Sequence, residues 1–433
     1  MKKTLLTICL TWMCFSLSAQ KIIDLSGKWS FSIDRQDNGE KEKWFSHTLN
    51  DCINLPGSMP EKLKGDEVTA KTQWTGSLYD SSYYYNPYME KYRKEGNIKF
   101  PFFLTPDKHY VGAAWYQKEV NIPADWKGER ILLFLERPHI ETTVWVNGQK
   151  TGMQNSLCVP HQYDITRYVR PGKCTITIRV DNRIKEINVG PDSHSITDQT
   201  QGNWNGIVGR ICLQTTPKTY FDDIQIYPEP EQKLARVKVV IKGAGITKIK
   251  LSAESFNTDK KHIVPAIQQE IKLNKGVTET EMVLPMGNDM LLWDEFHPAL
   301  YKLKAEVTNG KKTEIKEIQF GMRRFEIKGK WFYVNGRKTQ LRGTVENCDF
   351  PLTGYAPMDV ESWERVFRIC RSYGLNHMRF HSFCPPEAAF IAADRVGFYL
   401  QPEGPSWPNH GPKLGLGQPI DTYLMLSLIH ISE

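Results

Sequence analysis

Residues 375–401 have the sequence LNHMRFHSFCPPEAAFIAADRVGFYLQ, and their pattern decides the fold class of the C-terminal part of the chain. The first six residues mix apolar and polar side chains in a way that predicts a short β-strand. Two prolines then open a predicted helix over 387–396, and Gly397 ends it before the next apolar run, 398–401. A strand, a helix and a strand in this order indicate two parallel strands joined by a crossover helix.

The same alternation extends towards the N-terminus. Residues 339–343 are predicted to form a strand. Residues 359–373 are predicted to form a helix, because four apolar side chains recur on one helical face: Trp363, Val366, Phe367 and Cys370. Three strands alternating with two helices are typical of a (β/α)8 TIM barrel, which takes roughly 250 residues in full. We therefore expect residues 322–433 to be the start of an incomplete TIM barrel.

Residues 20–218 are predicted to form an all-β jelly-roll sandwich. Runs in which polar and apolar residues alternate recur between turn signals, for example at 142–146 and 174–180. Asn147-Gly148 follows the first of these runs, and both residues tolerate the positive φ angles of a tight hairpin. So many short strands at this length predict a jelly roll. Residues 69–106 contain several tyrosines but no periodicity, and are predicted to be a long inserted loop.

Residues 219–321 form a second β-rich segment with a different texture. Alternating runs are separated by Asn, Gly and Lys, as at 237–241, 248–253 and 301–307. About 100 residues with some seven short strands is the size of an immunoglobulin-like β-sandwich. The Cys-Trp-Cys pattern of antibody domains is absent, so this prediction depends on size and rhythm.

Both ends of the chain have distinctive patterns. Residues 1–19 are predicted to be a signal peptide, because Lys2 and Lys3 precede an apolar run and Ser18-Ala19 offer a small-residue cleavage site. The run is too short to span a bilayer comfortably, so we expect a secreted, soluble protein, located in the periplasm, without a membrane span. The apolar run 424–433 is either a native amphipathic terminus or translated adapter sequence.

Composition excludes some classes of partner. The net charge of +7 is spread along the chain, whereas nucleic-acid binding needs a clustered basic stripe. Seven cysteines remain after the predicted signal peptide, without CxxC spacing, which argues against a disulfide framework and against a zinc site. Buried free thiols are the expectation. The 12 Trp and 18 Tyr fit either large sandwich cores or a sugar-stacking surface.

Candidate functional residues follow the predicted strands of the C-terminal segment. In parallel barrels the functional side chains lie at the carboxyl ends of strands. Carboxylates and histidines bond sugar hydroxyls, and tryptophan stacks on a pyranose face, so these residues predict a sugar pocket. A structural reading stays open, in which Arg379 and Glu346 pair as scaffolding and His381 is a buried structural histidine. The candidate substrate-binding residues at these strand ends are Glu346, Asn347, Arg379, His381, Glu403 and Trp407.

Short motifs recur along the whole chain in a particular order. They are Leu25-Ser-Gly-Lys-Trp-Ser-Phe31, Leu55-Pro-Gly-Ser-Met59, Trp115-Tyr-Gln-Lys-Glu-Val120, Val144-Trp-Val-Asn-Gly148, Tyr163-Asp-Ile-Thr166, Asn203-Trp-Asn-Gly-Ile207, Phe320-Gly-Met-Arg-Arg-Phe-Glu326, Leu341-Arg-Gly343, Arg379-Phe-His-Ser382 and Asp394-Arg-Val-Gly-Phe398. Their order and spacing resemble family 2 of the glycoside hydrolases, which includes β-galactosidases, β-glucuronidases and β-mannosidases. The resemblance implies a jelly-roll sugar-binding domain, an immunoglobulin-like domain and a barrel, in that order.

The resemblance also assigns roles to individual residues. His381 occupies the place of a family histidine that lies beside the sugar, and Glu403 stands where many members have an Asp-Glu pair. The loop after the first barrel strand, which usually holds Asn and His, here contains Glu346 and Asn347, a departure from the galactosidase pattern. Asp198 is nearest to an acidic residue that the family's sandwich sends towards the pocket, about two residues out of register. No metal and no cofactor is implied.

The family's reaction is retaining hydrolysis of β-linked glycosides by two glutamates. In the family the acid/base glutamate follows an asparagine after the fourth barrel strand, and the nucleophile follows the seventh. No Asn-Glu dipeptide occurs in this sequence, so we expect neither catalytic glutamate within residues 1–433. The expectation is therefore a β-glycosidase fragment whose partner is a carbohydrate substrate. The alternatives are a non-catalytic carbohydrate-binding protein and, third, an adhesion or assembly module.

Overall fold

The computed structural model of the protein describes residues 20–76, 82–99, 106–185, 189–200, 202–350 and 352–407, with 415 and 421. The predicted signal peptide, 1–19, and the apolar run 424–433 lie outside the described residues. The described chain is mostly β, with few helices. None of its helices has both the length and the apolar character that crossing a membrane requires.

The N-terminal residues form two stacked antiparallel sheets, which we call the N-terminal sandwich. One sheet has the order β1-β13-β8-β11, with β4 added to β13, and the other has the order β10-β9-β12-β7-β2-β3. A separate two-stranded ribbon joins β5 to β6. The strands are β1 Ile22–Asp24, β2 Gly27–Asp34, β3 Asp51–Leu55, β4 Gly57–Ser58, β5 Asp66–Glu67, β6 Lys108–His109, β7 Ala113–Ile122, β8 Arg130–His139, β9 Glu141–Val146, β10 Gln149–Asn155, β11 His161–Asp164, β12 Gly172–Asp181 and β13 Gly206–Thr216.

One apolar core lies between these two sheets. It includes large side chains from both of them, among them Trp29, Tyr116 and Leu133, all fully buried. Alternation along strands such as β2 and β11 places apolar side chains inside and polar ones outside, whereas β9 is buried along its whole length. Asn147 and Gly148 form the turn between β9 and β10, with φ angles of 50° and 76°, as the sequence predicts.

The segment predicted to be a long loop, 69–106, is irregular but not without structure. In its described part it contains a four-residue helix, α1 Ser82–Tyr85, and a 3-10 segment, Pro87–Arg93. The side chain of Asn86 accepts a hydrogen bond from the backbone N–H of Tyr88 and so caps the second segment. Other 3-10 turns are Trp44–Ser46, Ala124–Trp126 and Pro230–Gln232.

Five strands of one hydrogen-bonded sheet follow, rather than some seven short strands. They surround a single apolar core, and we call this unit the second sandwich. They are β14 Tyr220–Glu229, β15 Leu234–Phe256, β16 Ile263–Pro285, β17 Leu300–Asn309 and β18 Lys312–Phe320. β15 and β16 have 23 residues each, and together they form one long hairpin. The predicted runs 237–241 and 248–253 are therefore parts of one strand, because Gly243 and Gly245 bend it through a register shift without ending it.

A third unit contains the predicted parallel sheet. A small antiparallel sheet comes first, with β19 Phe325–Lys328, β20 Trp331–Val334 and β21 Arg337–Thr339. The C-terminal βα unit then has the order β22 Gly343–Glu346, α2 Val360–Ser372, β23 His377–Phe380, α3 Glu387–Val396 and β24 Tyr399–Gln401. β22 pairs with β23, and β23 with β24, both in parallel. The first strand begins at Gly343, where pairing to His377 starts, rather than ending there.

Capping residues set the start of α2 and the end of α3 in the βα unit. The side chain of Asp359 accepts hydrogen bonds from the N–H of Ser362 at 2.8 Å and from its hydroxyl at 2.9 Å, which caps α2. Gly397 ends α3 with a φ of 77°, a conformation that favours glycine. Trp363 and Phe367 of α2 are fully buried against the sheet, as their spacing predicts.

Candidate functional site

Parallel pairing places the ends of three strands at one edge of the C-terminal sheet. Val345 is paired with Arg379, and Arg379 with Gln401, so Glu346, His381 and the residues after Gln401 leave the sheet on the same side. We call this edge the rim. The rim therefore brings the strand-end candidates of the sequence together on one side of the sheet.

Glu403 is held at the rim by two donors. The guanidinium Nε of Arg379 lies 2.5 Å from its Oε1, and the backbone N–H of Ser382 donates to its Oε2 at 2.8 Å. The sequence left open an ion pair between Arg379 and Glu346. In the structure, Arg379 forms its ion pair with Glu403 instead. An ion pair supported by a backbone donor fixes the carboxylate in one orientation.

A histidine of the N-terminal sandwich reaches the rim. The ring of His194 lies edge-on to that of His381, with the ring centroids 4.3 Å apart. Trp407 completes the group, with its ring centroid 5.1 Å from that of His381 and 5.3 Å from that of His194. We call these three rings the aromatic cluster. An indole face beside two imidazoles offers both a stacking surface and hydrogen-bonding groups to a sugar.

Ser382 fastens the sandwich loop to the rim. Its hydroxyl accepts a hydrogen bond from the backbone N–H of His194 at 3.0 Å, and its carbonyl accepts one from the hydroxyl of Ser195 at 2.6 Å. Ser382 has a φ of 45°, in the left-handed region that non-glycine residues seldom adopt. These contacts, with the bond from its N–H to Glu403, hold that strained backbone in place.

Burial sets the protonation of His194. The residue is 8% exposed, and its Nδ1 atom is buried without a hydrogen-bond partner in the part of the chain that the structure describes. Burial lowers the pKa of His194 to about 4, and the neighbouring His381 acts in the same direction. The imidazole is therefore neutral at pH 7, with one ring nitrogen left to accept or donate a hydrogen bond.

Glu346 is the last residue of β22 at the rim, and Asn347 follows it. Burial raises the pKa of the Glu346 carboxyl, and its Oε1 accepts a hydrogen bond from the N–H of Asp349 at 3.2 Å. Burial also raises the pKa of Asp349. The backbone of Asn347 faces the imidazole of His194. Both candidate residues thus border the site, where desolvation favours the protonated form of Glu346.

Asp198 does not join the aromatic cluster through its carboxylate. Its Oδ2 accepts a hydrogen bond from the N–H of Thr75 at 2.6 Å, and its Oδ1 accepts one from the N–H of Asn203 at 2.8 Å. His109 also lies 3.3 Å from Oδ2. Both carboxylate oxygens therefore hold together loops of the sandwich. The residue that the sandwich does send to the rim is His194, four positions earlier, which the sequence analysis missed.

The signal for His194 was present but ambiguous. It lies in a stretch without strand periodicity, just before the Asn203-Trp-Asn-Gly motif, and a lone histidine there has no spacing that separates it from Asp198. Two surface cavities of about 400 and 620 Å³ lie elsewhere on the N-terminal sandwich. Among the described residues no group of three or more His, Cys, Asp or Glu side chains could hold a metal ion.

Two sequence profiles of one family match consecutive parts of the chain. The profile described as "Glycosyl hydrolases family 2, sugar binding domain" matches residues 22–217, and that described as "Glycosyl hydrolases family 2" matches 219–323. Together they cover well over half of the sequence. The chain belongs to glycosyl hydrolase family 2.

Curated family 2 relatives are similar over most of this chain. A β-galactosidase of Thermoanaerobacter pseudethanolicus is 25% identical over 73% of this chain and 42% of its own length. The human β-glucuronidase is 23% identical over 88% of this chain and 57% of its own length. The chain thus spans about half the length of the curated relatives that it matches.

Solved structures of family 2 proteins share the fold. A β-glucuronidase from Ruminococcus gnavus in complex with D-glucuronic acid superposes with a TM-score of 0.64 at 19% identity, covering 90% of this chain and 61% of that one. A family 2 member from Bacteroides cellulosilyticus gives a TM-score of 0.63 at 19% identity, covering 88% of this chain and 47% of the other. At 19% identity, these superpositions show a shared fold.

Proposed function

We propose that this chain provides the sugar-recognition part of a β-glycosidase that hydrolyses O-glycosyl bonds with retention. The main support is the aromatic cluster, in which His194 of the sandwich meets His381 and Trp407 of the rim. In this proposal Trp407 stacks on a pyranose ring, and the two imidazoles bond its hydroxyls. Glu346 and Asn347 border the same ring.

The carboxylates of the rim bind and position rather than attack. Retaining hydrolysis needs a nucleophilic carboxylate and a second, acid/base carboxyl about 5–5.5 Å from it. Glu403 has Oε1 against Arg379 and Oε2 against the N–H of Ser382, which lowers its nucleophilicity and fixes its direction. Glu346 is protonated more readily than usual because it is buried, which suits a hydrogen-bond donor to a sugar oxygen.

We also propose that the βα unit is the first part of a (β/α)8 barrel. Its parallel strands, its two alternating helices and the placement of polar residues at the carboxyl ends of strands are those of such a barrel. The proposed domains are a jelly roll over 20–218, an immunoglobulin-like sandwich over 219–321 and the barrel segment over 322–433. The catalytic glutamates are, in this proposal, outside residues 1–433.

Export is a further part of the proposal. It is supported by the sequence of residues 1–19, with two lysines, an apolar run and a small-residue cleavage site. The predicted location is the periplasm. N-terminal sequencing of the protein recovered from the periplasm of an expressing Gram-negative host checks this: a start at Gln20 supports export, and an unprocessed cytoplasmic chain contradicts it.

The proposed substrates are β-linked galactosides and glucuronides. This class comes from the relatives, which are named β-galactosidase and β-glucuronidase. Ligand-observed NMR on the chain, with galactose, glucuronic acid and mannose at millimolar concentration, tests recognition. We expect at least one sugar to bind. Binding should weaken in Trp407→Phe and weaken further in Trp407→Ala.

Hydrolysis of aryl β-glycosides by the same preparation tests the assignment of roles. We expect sugar binding without turnover above that of a mock-purified control. Turnover would overturn the positioning role of the rim carboxylates, and would make Glu346 and Glu403 the candidate pair. Absence of binding to every sugar would contradict the recognition site itself.

A further inference from the structure

Two cysteines from separate units of the fold meet behind the rim. Cys158 follows β10 in the N-terminal sandwich, and Cys384 follows β23, three residues after His381. Both are buried in one apolar cluster, together with Ile140 and Ile196 of the sandwich. The Cys384 thiol also donates a hydrogen bond to the carbonyl of Pro385 at 3.7 Å, and the Cys158 side chain packs in the same cluster. Both thiols are free in the structure.

Arg137 holds the two cysteine-bearing segments against each other. Its Nη1 donates to the carbonyl of Leu157 at 3.1 Å and to the carbonyl of Cys384 at 2.9 Å. Its Nη2 donates to the carbonyl of Pro385 at 3.2 Å. One guanidinium therefore bridges the backbone beside Cys158 and the backbone of Cys384, which fixes the approach of the two side chains.

We propose that Cys158 and Cys384 form a reversible disulfide that links the N-terminal sandwich to the rim. The required oxidant is a small or protein disulfide, RSSR. The Cys384 thiolate attacks one sulfur of RSSR, forming a mixed disulfide and releasing one RS⁻. The Cys158 sulfur, on losing its proton, then attacks the Cys384 sulfur and releases the second RS⁻. The thiols of Cys158 and Cys384 are thereby oxidised to one disulfide, and RSSR is reduced to two RSH.

The surroundings select Cys384 as the attacking thiol. The hydrogen bond from Cys158 lowers the pKa of Cys384, with the charge of Arg137 acting in the same direction. The same pairing raises the pKa of Cys158, so a single thiolate forms in the pair. The total cysteine number, which argues against a disulfide framework, does not exclude one local pair between segments that are distant in sequence.

The cross-link would act on the geometry of the site. Cys384 is close in sequence to His381 and Ser382, and Ser382 already bonds the loop of His194. A covalent bond at Cys158 would fix the rim loop to the sandwich and would close a long loop of chain, from 158 to 384. Oxidising surroundings would thus hold the two halves of the aromatic cluster together.

Thiol mapping tests the disulfide. The 433-residue chain is equilibrated in buffers of reduced and oxidised glutathione, alkylated under denaturing conditions and digested for mass spectrometry. In oxidising buffer we expect one cross-linked peptide pair that contains 158 and 384, lost after addition of a dithiol reductant. We also expect a higher Tm for the oxidised than for the reduced chain.

Variants separate this pair from other thiols. Cys158→Ser and Cys384→Ser each remove the cross-link and leave the remaining cysteine alkylated. Cys174→Ser, another buried cysteine of the sandwich, keeps it. Mapping of the unsubstituted chain decides the question even if a variant fails to fold. Full alkylation of both residues in oxidising buffer, or cross-linking of either one to Cys348 or to glutathione, would overturn the proposal.

Discussion

The imidazole rings of His194 and His381 lie edge-on, with their centroids 4.3 Å apart, although His194 belongs to the N-terminal sandwich and His381 to the C-terminal βα unit. His381 helps to keep the pKa of His194 low, since like charges at this distance repel. The site therefore exists only when the two units are docked, and its ionisation depends on that docking. Substitutions at the rim and at the docking contacts should consequently have different effects.

Replacing His381 with alanine tests its role in sugar recognition. We expect the affinity for the bound sugar to fall, and kcat/KM in an active parent enzyme to fall by about ten- to a thousandfold. That corresponds to about 1.4–4 kcal/mol for hydroxyl contacts that strengthen in the transition state. The Tm should change little, because a rim side chain supports few core contacts. Titration calorimetry and thermal unfolding of one preparation measure both quantities.

His377 provides the matched control for that substitution. It lies on the same strand, β23, at the opposite end from the rim. His377→Ala should leave sugar affinity unchanged. If His381→Ala instead lowers the Tm while the folded protein binds normally, His381 is a structural histidine.

The N-terminal sandwich should lose stability as the pH falls from 6.5 towards 4. Burial lowers the pKa of His139 to about 4 and that of His161 to about 3. In this interval the unfolded chain binds protons that the folded chain does not, so the free energy of unfolding falls as the pH is lowered. Each histidine contributes up to about 1.4 kcal/mol per pH unit. Carboxylates with lowered pKa, such as Asp181, act mainly below pH 4.

Urea unfolding at a series of pH values measures this slope. His161→Gln should make the dependence of the unfolding free energy on pH distinctly shallower between pH 6.5 and 4. His47→Gln, at an exposed position of the same sandwich, should leave it unchanged. A slope that is equal in all three proteins would show that neutral buried histidines are not the cause.

The sequence predicts the parts of this fold that depend on local periodicity. Trp363 and Phe367 share one helical face, Gly397 ends α3, and Asn147-Gly148 forms a hairpin, since each follows from neighbouring residues alone. The length of β15 could not be predicted, because Gly243 and Gly245 act as a bend only when β16 pairs on both sides of them. In a single sequence they are indistinguishable from a turn.

In the candidate site, too, the residues that follow from local pattern were predicted, and those that depend on tertiary contacts were not. His381 and Glu403 were found because parallel strands bring their ends to one edge. Arg379 pairs with Glu403 rather than with Glu346 because of side-chain geometry across the sheet. The spacing of the strands in the sequence does not determine that geometry. His194 was missed because a loop of the sandwich reaches the rim through tertiary docking, at Ser382, and no local pattern records such a contact.

Asp198→Ala should destabilise the sandwich without weakening sugar binding by the folded protein. The carboxylate accepts two backbone hydrogen bonds, from Thr75 and Asn203, and its loss leaves buried donors unpaired. We expect the free energy of unfolding to fall by about 3 kcal/mol. Asp51→Ala, at an exposed position that pairs with Lys64, should cost less than about 1 kcal/mol. Loss of affinity in folded Asp198→Ala protein would restore Asp198 to the binding site.

Docking of the βα unit onto the second sandwich depends on Arg371. Its Nη1 donates to the carbonyls of Glu295 at 2.5 Å, Val396 at 2.6 Å and Gly397 at 3.0 Å. Arg371→Gln removes the charge and shortens the donor, so at least two of these partly buried carbonyls lose their partner. Only the bond to Glu295 crosses between the two units, whereas those to Val396 and Gly397 lie within the βα unit, so we expect the docking to weaken by about 1–2 kcal/mol. Limited proteolysis should then cleave beyond residue 322 first and leave the two sandwiches as a resistant core.

Arg368→Gln separates this effect from a general loss of helix stability. Arg368 lies one turn earlier on α2, is exposed and pairs only with Glu364 in the described part of the chain, at 3.1 Å. Its replacement should cost about 0.5 kcal/mol and leave the cleavage pattern unchanged. Arg371→Gln protein that resists protease as well as the Arg368→Gln control would show that other contacts hold the unit. Trp293, whose indole N–H donates to the carbonyl of Asp394 at 2.8 Å, would then be the next residue to replace.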